Sequence, residues 1–346
     1  MVNSRLLTGF TRITAAAALC LAGLGTPVFA QTNELQASFD DAFGTEVREP
    51  ESFEAVYDSN FERRIAELAD GSRGRIGVAA IDLSTGEEIM VLGDQLFPMA
   101  STSKIAVAAA YLEMVEQERF SLTSEFPLLI PVRSAKFSSP AAPVREGNYM
   151  QAIDLIEIMI TRSSNPATDA LLAVIGGPPA VNDWVRRQGI EEFSIDRDIA
   201  TLVRDDGEYD PASWIDPRDA ATPRAMVRLL QGLYRGEFLS DEHRQVVLGA
   251  MSRTVTGQRR IVAHIPEEAT VSHKTGSLNN TSSDVGIIET PDGRAIAVAI
   301  YVTGQGSRRA REARIAAIAR ALYDGFNARA GQNPGQVWTS APRTGG

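Results

Sequence analysis

Apolar residues recur at helical spacing from Phe53 to Leu68, where Phe53, Val56, Phe61, Ile65 and Leu68 share one broad face before Asp70-Gly71-Ser72 stops the segment. Two short apolar stretches follow, Ile76–Leu83 and Glu88–Leu92, joined by Ser84-Thr85-Gly86-Glu87, which is the pattern of a strand hairpin. Residues 101–117 are rich in Ala, with Ile105, Ala109, Leu112 and Val115 apolar, and read as a helix. The spacing predicts further helices over Met150–Arg162, Pro166–Ile175 and from Pro178 to Gln188, with Ser163-Ser164-Asn165 and Gly176-Gly177 between them. Residues 204–219, RDDGEYDPASWIDPRD, have no period and read as an acidic loop. Thr222 is a good N-cap ahead of Pro223 for a helix to about Tyr234. Three strands come next, Thr270–Ser277, Ser283–Thr290 and Ala295–Thr303, with a tight Pro291-Asp292-Gly293 turn between the last two. Ser307 to Asn327 reads as an amphipathic helix studded with Arg.

The order is helix, two strands, many helices, three strands, helix. It predicts an α/β (α+β) fold, in which an antiparallel sheet built from both chain ends is flanked by helices. An all-helical lobe is expected as an insertion over about residues 99–221.

Composition adds the boundaries. Of 346 residues, 44 % are hydrophobic and 23 % charged, as in an ordinary globular chain. Residues 1–30 read as a cleaved signal peptide: Arg5 and Arg12, an apolar run from Ile13 to Leu24, then Val28-Phe29-Ala30 with small residues at the cleavage positions. Residues 31–51 read as a polar linker, 52–330 as one domain, and 331–346 as a disordered Gly/Pro-rich tail. The product is expected in the periplasm or outside the cell, free of the membrane once the leader is cut. Losing two arginines with the leader takes the formal charge from −10 to −12, which argues against nucleic acid. The only cysteine, Cys20, is lost too, so no thiol nucleophile remains. His243, His264 and His273 do not pair at zinc-site spacing, so no metal is expected.

Charge also singles out candidate chemistry. Only Lys104, Lys136 and Lys274 among 34 basic residues are lysine. Arg stays protonated near neutral pH, whereas burial can strip a Lys of its proton, so a Lys here is a candidate base. Ser101 and Lys104 stand three apart at a helix start, on one face, with the Ser oxygen at the positive end of the helix. An activated Ser nucleophile needs this arrangement. Taken alone, it reads equally well as an ordinary helix cap beside a solvated Lys. Lys274-Thr275-Gly276 on a strand, and Ser163-Ser164-Asn165 between two helices, are the other two segments of interest.

In this order the three segments resemble the class A β-lactamases and the wider family of penicillin-binding serine hydrolases. FPMASTSK (97–104), Ile175-Gly176-Gly177-Pro178 and DPRDAATPRAM (216–226) extend the resemblance over about residues 52–330. It implies a serine hydrolase that opens β-lactam rings through an acyl-enzyme, with a small-molecule substrate and no cofactor; a monomer is expected. It implies that Ser101 attacks, Lys104 takes its proton and Ser163 passes a proton to the departing nitrogen. Asn165, Lys274 and Thr275 bind substrate beside Gly276, and the backbone N–H groups of Ser101 and Ser277 form the oxyanion hole.

Two departures stand out. Ser164 replaces the Asp of the family's Ser-Asp-Asn. The family's omega loop carries Arg-x-Glu-x-x-Leu-Asn, whose Glu activates the deacylating water. A gapless count back from Asp219 puts Arg204 on the Arg, Asp206 on the Glu and Asp210 on the Asn, and makes Arg204–Asp219 the ion pair at the loop's neck. Asp206 is then the candidate base, with Glu208 as the alternative; both also read as ordinary charges on a solvated loop. With Asp at the counted position of that Glu, two other readings stay open: a D-alanyl peptidase or esterase of the same fold, or a penicillin-binding protein that is acylated with little turnover. A Ser-His-Asp hydrolase fits poorly, since the chain has no Gly-x-Ser-x-Gly and His273 should point away from Lys274.

Overall fold

The computed structural model describes residues 59–332. The expected leader, the linker, the first helix before Ser59 and the tail beyond Gln332 lie outside the described residues. No helix among the described residues is long and apolar enough to cross a membrane.

The first helix, α1 (Asn60–Leu68), starts at Ser59, whose hydroxyl caps Glu62 N. β1 (Ile76–Asp82) and β2 (Glu88–Val91) form the expected hairpin. After β3 (Phe97–Pro98) a 3₁₀ turn, Ala100–Ser103, leads into α2 (Lys104–Glu116). The chain continues with β4 (Glu125–Pro131), β5 (Val144–Gln151), α3 (Ala152–Thr161), α4 (Asn165–Ile175), α5 (Gly177–Arg187) and α6 (Ile199–Arg204). It closes with β6 (Ala220–Ala221), α7 (Pro223–Arg235), α8 (Asp241–Ser252), β7 (Thr270–Leu278), β8 (Thr281–Glu289), β9 (Ala295–Thr303) and α9 (Arg308–Gln332).

The sheet is antiparallel throughout, in the order β2-β1-β9-β8-β7, and unites both ends of the domain as the element order predicts. β1 and β9 are buried along their whole length because both sheet faces are covered. Alternation assigns each residue to a face. Val78, Ala80, Val298, Ile300 and Val302 pack with Ile65 of α1 and Ile315, Ile318, Leu322 and Phe326 of α9. Ala79, Ile81, Ala297, Ala299 and Tyr301 face the larger core, which contains α2, α3, α4 and α7.

The inserted segment is not all-helical. β4 and β5 pair as a separate ribbon against α4, and Phe126, Leu128 and Leu129 supply its apolar side. The ribbon is half-exposed and interrupted by Pro127 and Pro131, so it lacks the alternation of a core strand. α8 has a polar first half, with its buried residues gathered at Val247, Leu248, Ala250 and Met251. α6 is a single capped stretch of six residues.

Candidate active site

The turn carrying Ser101 is held from three sides. β3 pairs with β6, and Met99 N donates to Asp219 O at 3.0 Å. The Thr102 hydroxyl donates to Met99 O and the Ser103 hydroxyl to Ala100 O, at 2.8 and 2.9 Å. Ala100 takes φ of +50°, a strained value for a residue with a Cβ. Behind the turn β7 comes so close that a Cβ on Gly276 would stand 2.6 Å from Met99 O and 2.4 Å from Ser283 Oγ. Ser101 is half-buried, while Thr102, Ser103 and Lys104 are buried.

Lys104 has no exposed surface. Its Nζ meets Ser163 O at 2.8 Å, Asn165 Oδ1 at 2.7 Å and Ser163 Oγ at 3.3 Å. Burial, and then the charge of Lys274, push its ammonium well below the ordinary lysine value, with Asp169 pulling the other way. Lys274, also fully buried, donates to Ser163 Oγ at 3.0 Å and to Thr275 O at 2.9 Å. Burial brings it down to about 7, against the pull of Asp284 and with a push from Arg260. Ser163 Oγ therefore sits between the two amines, on a backbone with φ of +58°. Ser164 caps α4, its hydroxyl accepting Ala167 N at 3.4 Å, a task its shorter side chain performs locally.

Around β7, the Thr275 hydroxyl shares a hydrogen with that of Thr256 at 2.7 Å. Buried Arg260 donates to Gly276 O at 2.8 Å and to Ser277 Oγ at 2.7 Å. Nothing in its local sequence marks Arg260, because its partners come from β7, β8 and, through Glu312, α9. His273 turns away from Lys274, as alternation requires, and its Nδ1 lies 2.9 Å from buried Asp284. The structure thus gathers Lys104, Ser163, Asn165, Lys274, Thr275, Gly276 and Ser277 around the turn that bears Ser101.

The omega-loop residues fall elsewhere. Asp206 Oδ2 accepts Asn279 N at 2.8 Å, and its carbonyl accepts Lys136 Nζ. Glu208 pairs with Arg218 at 2.7 Å, and Asp210 accepts Asn280 Nδ2 at 2.8 Å. A cavity of about 60 Å³ under this segment is lined by Leu202, Asp206, Tyr209, Trp214, Leu278 and Asn279, and neither Ser101 nor Lys104 lines it. The expected Arg204–Asp219 pair does not form. Arg204 pairs with Asp205 at 2.7 Å, and Asp219 takes Arg197 Nε at 2.6 Å together with the backbone N–H groups of Asp196 and Arg197. A neck arginine seven positions earlier than the gapless count means that the loop is longer. The pattern Arg-x-Glu-x-x-Leu-Asn then falls on residues 197–203: Leu202 matches, Ile199 stands at the Glu and Val203 at the Asn. Beneath Ile199 lies a carboxylate that the motifs did not flag. Asp169 Oδ1 accepts Ile199 N at 2.7 Å and Oδ2 accepts Ala200 N at 2.9 Å. Its signal was the i, i+4 spacing from Asn165 on α4.

A buried lysine one turn after a half-buried serine, its amine joined through the Ser163 hydroxyl to a second buried lysine, is the kind of arrangement that serine acyl transfer needs. The chain belongs to the class A β-lactamases: the model of the β-lactamase enzyme family matches residues 60–326. It is similar to β-lactamase CTX-M-25 of Escherichia coli, 31 % identical over 271 residues that cover 78 % of this chain and 90 % of that one. β-Lactamase CTX-M-8 of Citrobacter amalonaticus is 30 % identical over 273 residues, with the same coverage. Among solved structures, a β-lactamase from Chitinophaga pinensis superposes with a TM-score of 0.68 at 26 % identity, over 78 % of this chain and all of that one. An ancestral class A β-lactamase gives 0.66 at 34 % identity, over 77 % of this chain and all of that one.

Proposed function

We propose that the enzyme hydrolyses β-lactams through an acyl-enzyme on Ser101. The observation that carries this reading is the Lys104 amine, fully buried and bound to Ser163 and Asn165. A neutral amine donates two N–H groups, which match the two obligate acceptors Ser163 O and Asn165 Oδ1. Its lone pair is then left to take the Ser101 proton. Lys274, as the charged donor, gives a hydrogen to Ser163 Oγ, and Lys104 approaches the same oxygen at 3.3 Å, which leaves the Ser163 O–H to point at the lactam nitrogen. The proton leaving Ser101 can thus travel through Lys104 and Ser163 to the lactam nitrogen as the C–N bond breaks. Oxyanion donors at the Ser101 and Ser277 N–H groups lower such a barrier by about 3–4 kcal/mol. Lys274, Thr275 and Asn165 hold the substrate's carboxylate and side-chain amide, and Arg260 fixes Ser277 and Gly276 behind them. No cofactor takes part.

A second reading, acylation with little turnover, is favoured by Ile199 at the position of the loop Glu. Nitrocefin separates the two. Sustained colour development supports hydrolysis, a burst of one equivalent supports the penicillin-binding reading, and cleavage of D-alanyl peptides or esters with inert nitrocefin supports a same-fold hydrolase. The leader-like residues 1–30 support export to the periplasm or medium, where the mature enzyme would act as a monomer.

A further inference from the structure

We propose that Asp169 is the base for the water that releases the acyl group from Ser101, a task the loop has no carboxylate placed to perform. The inference rests on the acyl-enzyme reading above and deepens it. Hydrolysis of an ester needs a group that takes a proton from the attacking water. The carboxylates of the long loop are engaged elsewhere: Asp205 by Arg204, Asp206 by Asn279, Glu208 and Asp216 by Arg218, Asp210 by Asn280 and Asp219 by Arg197. Ile199 and Val203 place hydrocarbon where the pattern has Glu and Asn.

Asp169 brings a carboxylate from α4 against the backbone of Ile199. It lies one helical turn after Asn165, on the same face of α4, and Asn165 Oδ1 touches Lys104 Nζ at 2.7 Å. Both of its oxygens are pinned to the backbone N–H groups of Ile199 and Ala200, so its rotamer is fixed. Each carboxylate oxygen keeps a second lone pair for a water. The charged groups facing it are Lys104 from α2 and Asp198 at the start of α6, whose own Oδ1 is committed to Thr201 N at 2.7 Å. Asp169 is only 3 % exposed, and burial raises it to about 6, close to the value that suits a base near neutrality.

In the step, a water O–H bond breaks, its proton goes to Asp169, and its oxygen bonds to the acyl carbon. The tetrahedral intermediate then expels Ser101 Oγ as the C–Oγ bond breaks. Oγ regains a proton relayed from Asp169 by Lys104, so one water is consumed and one carboxylic acid is formed.

The test is intact-protein mass spectrometry of reactions with benzylpenicillin, stopped at intervals. Asp169→Asn should still be acylated, which shows that it is folded, while the adduct persists about 10²–10⁴-fold longer than in the wild type. Adding Ile199→Glu to that variant should shorten the adduct's life again, because it restores a carboxylate from the loop side. Wild-type deacylation should fall below about pH 6, with the limb absent in Asp169→Asn. A general loosening of the loop would slow release without removing that limb. Wild-type turnover by Asp169→Asn, or stalling by Asp198→Asn in its place, overturns the proposal while leaving the β-lactamase reading intact. If Asp169→Asn cannot be acylated, the wild-type profile decides: a flat deacylation rate between about pH 5 and 8 overturns it. A wild type that neither forms an adduct nor consumes the drug sinks both.

Discussion

Two lysines 170 positions apart share one serine hydroxyl; burial, and then the charge of Lys274, push the Lys104 ammonium well below the ordinary lysine value. Lys274 sets a pH dependence. Its value of about 7 lies below the ordinary 10.5, so the amine is charged below neutrality and loses its proton as pH rises through 7. Loss of that proton removes positive potential from the cleft. The value of kcat/KM for a β-lactam carboxylate should therefore fall above about pH 7. Lys274→Arg keeps its charge and should flatten this limb, at a lower absolute rate because the guanidinium cannot copy the amine's geometry. A limb unchanged in that variant assigns the titration to another group. At this scale the lysines were the readable signal, because a chain that writes Arg nearly everywhere buries two of its three lysines together here, while the third, Lys136, bonds the Asp206 carbonyl. Asp206 was not, because a count without gaps cannot see an insertion. The partner of Asp219 is set by the folded neck of the loop and not by spacing.

At the scale of elements, the site depends on how closely β7 approaches the 3₁₀ turn. Gly276 is the contact point, with Met99 O, Ser283 Oγ and Ala100 Cβ all within 3.2 Å of where a Cβ would stand. Gly276→Ala must push strand and turn apart. We expect a loss of about 1–3 kcal/mol in unfolding free energy, measured by urea titration, and a fall in the acylation rate as the oxyanion donors separate. A variant equal to the wild type in both would show that the approach is not needed. Elements with a strong period were legible: β1, β9, α4 and α7 lie within two residues of their expected bounds. β4 and β5 were missed because half-exposed strands broken by Pro carry little pattern. α6 was hidden because six residues are too few to show a period, and its start is fixed by Asp198 and Asp169, the second of which lies 30 positions away.

At the scale of the whole molecule, the sheet joins the two ends of the domain and the inserted segment closes over the β7 edge. Ser101 and Lys104 come from the start of that insertion, Ser163 and Asn165 from its middle, and Lys274 from the returning strand. The order of elements told this much, since a sheet made from both ends has to bring the first and last motifs together. The lengthened neck-to-neck loop, tied by Arg197–Asp219 and braced by Arg75 on Pro211 O at 3.0 Å, could only be seen folded. The proposed mechanism stands on an uncharged amine at position 104 that takes the proton of Ser101. The most direct test is the rate of acylation by benzylpenicillin in Lys104→Arg, followed by stopped-flow and confirmed by peptide mapping, with Ser101→Ala alongside. The account predicts no adduct in Ser101→Ala and a rate lowered by about 10²–10⁴-fold in Lys104→Arg, with the wild-type adduct mapped to Ser101. Acylation of Lys104→Arg at the wild-type rate, or an adduct on any other residue, would contradict it.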